Sequence, residues 1–174
     1  MRVILFILFC VPFTGISQVW IHPNRGQWDD EIKYLVELDH GQLFIDEKGF
    51  TFCLSEHNHP HKKEQETTHS EHFQVIKSHF ENANWKGSFL EGEKSNFYRN
   101  YFLGTDESRW KTEVKSVKQT VLVDFYEGID LILDGSGDKL KYSFLVKPNI
   151  DPAVILKSIR GSNAVSLKDE ALHI

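Results

Sequence analysis

Between Val121 and Val146 apolar and polar positions alternate in three runs separated by short breaks. The last run is the clearest: Leu140, Tyr142, Phe144 and Val146 alternate with Lys139, Lys141, Ser143 and Lys147, and Leu145 is the one apolar exception. A period of two places successive side chains on opposite faces, so the stretch predicts three antiparallel strands with one face each against a core. Asp134-Gly135-Ser136-Gly137-Asp138 reads as the turn before the last strand, its glycines able to take positive φ without a Cβ clash.

The same pattern recurs upstream. Ile32, Tyr34, Val36 and Leu38 alternate with Lys33 and Glu37, and Asp39-His40-Gly41 turns that strand. Gln42 to Asp46 and Phe50 to Leu54 predict a hairpin across Glu47-Lys48-Gly49. His72 to Phe80 has strand composition, Glu81 to Asn84 is a turn, and Trp85 to Leu90 suggests a short strand. Val19 to Asp29, punctuated by Pro23, Asn24 and Gly26, reads as a turn between aromatic anchors. Thr105-Asp106-Glu107-Ser108 predicts a single capped helical turn leading into Trp110. Past the bend at Pro148 to Pro152, short strands are expected at Val154 to Ile159, Ala164 to Leu167 and Ala171 to Ile174. Many short strands and no convincing amphipathic helix give an all-β class: an antiparallel, β-sandwich-like two-sheet domain. Strand order is not readable from this pattern.

One segment breaks the alternation. Residues 55–71 hold His57, His59, His61 and His69 among Lys, Glu and Thr with almost nothing apolar, which predicts a long His-rich loop. At the other extreme, Met1-Arg2 precedes an apolar run from Val3 to Phe13 and small residues at Gly15 and Ser17. This is the layout of a secretory signal cleaved after Ser17, and the run is too short to span a bilayer. The organisation expected is therefore a signal peptide over 1–17 and a single β-rich domain over 18–174, exported as a secreted or cell-surface chain without a transmembrane segment in its mature form. The strand pattern at Ala171 to Ile174 stops without a turn, which suggests a domain cut short at its C-terminal end within a longer protein.

Charge and cysteine narrow the classes further. A formal net charge of -5 with no Lys/Arg stripe argues against a nucleic-acid partner. Cys10 lies in the leader, which leaves Cys53 alone in the mature chain, read as a small, partly buried thiol in a strand.

Four groups of residues are candidates for chemistry. His57, His59 and His61, with His69 or His72 as a fourth, share the alternate spacing of a Zn²⁺ or Cu²⁺ site, but Pro60 and the flanking charges favour a solvated loop. Asp134, Ser136 and Asp138 resemble part of a calcium loop that lacks its closing Glu, so a hairpin turn is preferred. The pairs Asp29-Asp30 and Asp124/Asp130 have the residue types of glycosidase acids, with nothing to place them across a cleft. The aromatics Trp20, Trp28, Trp85, Phe97, Tyr98, Tyr101 and Trp110 would stack on sugars if exposed, and more often such residues fill a core or its rim. No nucleophile, P-loop or metal signature supports an enzyme, so no catalytic, cofactor-binding or metal residue is assigned and no cofactor is expected.

In order and spacing, several short motifs resemble an N-terminal domain of unknown function found in large secreted surface proteins of the Bacteroidota, which often carry SBBP-type β-propeller repeats and a gliding-motility-associated C-terminal sorting domain used in type IX secretion. They are Asn24 to Asp29 with Lys33-Tyr34, Leu43-Phe44, Gly49-Phe50-Thr51, and the His-rich insert. They continue with Asn100 to Gly104 and Trp110, Tyr126 to Leu131, Leu140 to Phe144, and Asp151-Pro152. Ser143 stands where that family usually has Asp, and Asn149 where it has Gly; Asn tolerates the left-handed conformation, so the bend is expected to survive. The resemblance implies no activity. The expected function is a non-enzymatic exported module of a cell-surface or secreted protein, in adhesion or assembly, whose partner is a protein or glycan at the cell surface. The alternative is a carbohydrate-binding module using exposed aromatics.

Overall fold

Ile21–Pro23 (β1) is the first strand among the described residues, at a place where the sequence pattern suggests only a turn. In the computed structural model, which describes residues 18–55, 73–83, 85–162, 164–169 and 171–173, β1 pairs antiparallel with Tyr34–Leu38 (β2). Three residues are too few to show alternation, and Pro23, which lacks an amide donor, is tolerated because β1 is the edge strand. The meander continues through Gly41–Ile45 (β3), Gly49–Ser55 (β4) and Phe73–Glu81 (β5). The β3–β4 turn places Gly49 at φ +147°, and a Cβ there would lie 2.4 Å from Ser78 O. The expected leader at 1–17 and His57, His59, His61, His69 and His72 lie outside the described residues, as does the expected loop beyond Ser55.

The second half supplies the opposing sheet. Phe89–Glu91 (β6) realises only the end of the strand expected from Trp85 onward. Arg99–Tyr101 (β7) and Lys111–Val114 (β8) form a hairpin of their own, with a 3₁₀ turn at Glu107–Arg109 between them, capped by Asp106 as its sequence suggested. Gln119–Tyr126 (β9), Ile129–Asp134 (β10) and Lys141–Val146 (β11) are the three strands legible in the alternation. Leu156–Arg160 (β12) then crosses back to pair with β5, and Ser166–Lys168 (β13) with Ala171–His173 (β14) forms a terminal hairpin. The architecture is all-β: one sheet in the order β1-β2-β3-β4-β5-β12 and another in the order β11-β10-β9-β6, all neighbours antiparallel.

The core lies between these sheets. Tyr34, Val36, Leu43, Ile45, Phe50 and Phe80 from the first meet Leu122, Phe125, Ile129, Leu131 and Leu133 from the second. Phe80 is the hub, with the rings of Phe50, Phe125 and Phe144 at 5.4–5.5 Å, each edge-to-face. Tyr34 Oη and Thr120 Oγ1, both buried, share a 2.9 Å hydrogen bond across the core. Burial raises the tyrosine's pKa to about 12, the Thr120 bond acting in the opposite direction.

Two expected turns work differently from their sequence reading. Neither Gly135 nor Gly137 takes a positive φ. Gly135 is needed because a Cβ would sit 2.4 Å from Val19 O, so close backbone approach and not handedness selects it. Asn149 does adopt φ +67°, so the Gly-to-Asn departure preserves the bend. On β9 the register against β10 shifts between Ile129 and Leu131, and Asp124 stands at φ +49°. That bulge lets consecutive Phe125 and Tyr126 both point into buried space, which strict alternation forbids.

Candidate functional site

Asn24 organises the loop that follows β1. Its Oδ1 accepts from the backbone N–H of Gly26 at 2.9 Å, and its Nδ2 donates to the carbonyls of Asp29 and Ile32 at 2.9 and 2.7 Å. Buried Gln27 donates Nε2 to Pro23 O at 2.8 Å. The Asn24 to Asp29 motif is thus a self-bonded loop, and it holds Trp28 edge-on against Tyr101 at 5.3 Å. Asp29 reaches Arg109 at 2.7 Å, tying the 3₁₀ turn to this loop, while Asp30 offers its carbonyl to Lys33 Nζ.

These bonds hold the β7–β8 hairpin against the outer face of the first sheet. Arg99 makes a two-pronged bond to Glu37 on β2, at 2.6 and 2.9 Å, and this keeps the Glu37 carboxyl below its ordinary pKa. The side chain of Asn100 accepts from the N–H of Glu113, a residue at φ +57°, so the hairpin's irregular register is fixed from within. With its base anchored, the hairpin and its approach present Phe97, Tyr98, Phe102, Leu103 and Trp110 to solvent, at 38–59% exposure. Phe102 and Trp110 meet edge-on at 5.6 Å, forming one apolar knob.

Beneath the hairpin lies a polar cluster that sequence reading did not find. His22 and Ser116 are each 2% exposed, and Ser116 Oγ and His22 Nδ1 share a 2.7 Å hydrogen bond. The imidazole Nε2 stands 4.0 Å from Glu37 Oε2. Burial first, and then the charge of Arg99, lower the His22 pKa to about 4, with Glu37 opposing. Ser, His and Glu are triad residue types, but a nucleophile must reach a substrate carbonyl. Ser116 is sealed in, its N–H directed at Ser95 Oγ, so the cluster acts as a buried hydrogen-bond network. Ninety-four residues separate His22 from Ser116, and no local spacing signals the pair.

The other candidates are dispersed. Asp130 Oδ1 accepts from the N–H of Asp124, and Asp124 pairs with Lys147 at 2.8 Å, so this carboxylate pair pins the bulge. Asp134 Oδ1 accepts from Ser136 N–H and Oγ–H, a hairpin Asx turn as preferred over a calcium loop. Trp85, considered as a sugar platform, is 6% exposed and donates Nε1 to Ser88 O at 2.7 Å; it belongs to the core. Trp20 is half-buried, edge-on to Phe97 at 5.2 Å. Cys53 is the free, partly buried strand thiol that was expected.

No helix among the described residues is long and apolar enough to cross a membrane. A family model described as "Domain of unknown function (DUF7948)" matches residues 21–174. No curated protein and no solved structure matches the chain.

Proposed function

The chain belongs to the DUF7948 family of domains of unknown function, and on that premise we propose that it is a non-enzymatic, exported module that docks a protein partner in adhesion or assembly at the cell surface. The observation that carries this reading is the apolar knob of the β7–β8 hairpin. Five large apolar side chains stand exposed on the hairpin and its approach, Phe102 and Trp110 in direct contact, on an element tied by Arg99–Glu37 and Arg109–Asp29, and exposed apolar surface of this kind marks interaction sites. Export is supported by the leader-like residues 1–17, which lie outside the family match beginning at Ile21. The motif resemblance further supports placement in large secreted Bacteroidota surface proteins of the SBBP-repeat type, where the domain would hold neighbouring modules or subunits.

The carbohydrate alternative through exposed tryptophans has less support: Trp85 is buried and Trp110 meets Phe102 edge-on. A Phe102→Ser/Trp110→Ser variant, changed only at exposed positions, is expected to keep its unfolding free energy within about 0.5 kcal/mol. Quantifying the mature chain in cell-bound and released fractions of the cells that make it should show the variant shifted to the released fraction. An unchanged distribution at normal stability would refute docking through the hairpin, and release by free saccharide would favour the alternative.

A further inference from the structure

A cleft of about 760 Å³ opens beside β1 at the end of the sandwich, within the ~300–1,000 Å³ range of small-ligand sites. Leu43, Phe50, Phe52 and Leu140 make its floor. Leu38 and Glu37 are successive on β2 and point to opposite faces, so the cleft wraps around the end of that strand, from the core side to the wall formed by His22, Glu37 and Arg99. That shape suits a chain of small rings better than one compact body.

In the wall Glu37 and Arg99 are spent on each other, and among the described residues His22 keeps one ring nitrogen without a partner. His22 lines the cleft and is almost fully buried; its Nδ1 is taken by Ser116, while Nε2, at 4.0 Å from Glu37, is beyond hydrogen-bond length. The rim carries Glu37, Asp39 and Asp138 against Arg99, Lys139 and Lys157, three acids and three bases, so the site does not select for charge. Lys157 lies over the Tyr142 ring at 5.2 Å and donates to its hydroxyl at 3.2 Å, which fixes that end of the cleft.

We infer that this cleft binds a short neutral oligosaccharide, whose apolar ring faces lie on Phe52 and Leu140 and whose hydroxyls exchange hydrogen bonds with the mixed rim and His22 Nε2. Hydroxyls both donate and accept, which matches carboxylates, guanidinium, ammonium and imidazole in one wall. A long-chain carboxylate would find no net positive charge on a rim of three acids and three bases to hold its head group. The site shares Arg99 and Glu37 with the tie that anchors the hairpin but uses none of the five exposed side chains.

The test is an amide chemical-shift titration of the mature chain with cellotetraose, chitotetraose, maltotetraose and mannotetraose, and separately with laurate. At least one tetrasaccharide should give saturable shifts at Leu38 to His40 and Lys139 to Leu140. Asp39→Ala and Asp138→Ala, both at exposed positions whose loss leaves the core intact, should each weaken that binding about tenfold, the scale of one well-made hydrogen bond to a charged group. The inference is overturned if no tetrasaccharide shifts these amides, if laurate alone does so, or if both variants bind like the parent chain.

Discussion

Phe80→Ala should remove about 3–5 kcal/mol of stability, the range for emptying a buried aromatic position. Phe80 is 4% exposed, and its ring is the one that Phe50 from its own sheet and Phe125 and Phe144 from the other all meet. Deleting it opens a void that faces both sheets, and neighbours held edge-on cannot all collapse into it. Set against a typical total of 5–15 kcal/mol, the loss would leave the domain marginal. Urea unfolding followed by tryptophan fluorescence measures it directly. A loss below about 1 kcal/mol would mean that the two sheets are not joined through this ring.

Acid should weaken the fold through His22. An ordinary imidazole titrates at 6.5, whereas burial and the Arg99 charge hold this one at about 4. The folded state binds the proton less readily than the unfolded chain, so this contribution is complete above about pH 6.5 and is lost as pH falls toward 4. The difference corresponds to about 3 kcal/mol. Unfolding free energies at pH 7 and pH 4 should therefore differ more in the parent chain than in His22→Gln, whatever that variant's stability at pH 7. A His22 ring that charges near pH 6.5 by NMR, or equal pH dependence in the two chains, would contradict the buried network.

What the sequence disclosed follows its physics. Strands with one buried face print a period of two, which is why β2 through β5 and β9 through β11 are legible within a residue or two. Asp106 announces its 3₁₀ turn because a cap is a local device. Long-range arrangements leave no such trace. The pairing of β12 with β5 joins residues more than seventy positions apart, and His22 meets Ser116 only because β1 lies under the segment after β8. Trp85 is the instructive aromatic: a Trp among polar residues after a turn reads equally as surface platform or core plug, and only the packed structure distinguishes them. Asp124 and Asp130 stand out by type, yet their role depends on a bulge that alternation cannot reveal. The aromatics of the β7–β8 hairpin are legible in the sequence, but their exposure is not, because exposure depends on the clamps from Glu37 and Asp29.

Docking of a protein partner through the β7–β8 hairpin predicts that a probe placed there captures that partner. The most direct measurement is in-cell photocrosslinking with a benzoylphenylalanine side chain at position 102, compared with the same group at exposed position 86, outside the hairpin. A discrete protein adduct from position 102 that is missing from position 86 is the predicted result; equal labelling from both positions, or none from either, would contradict it.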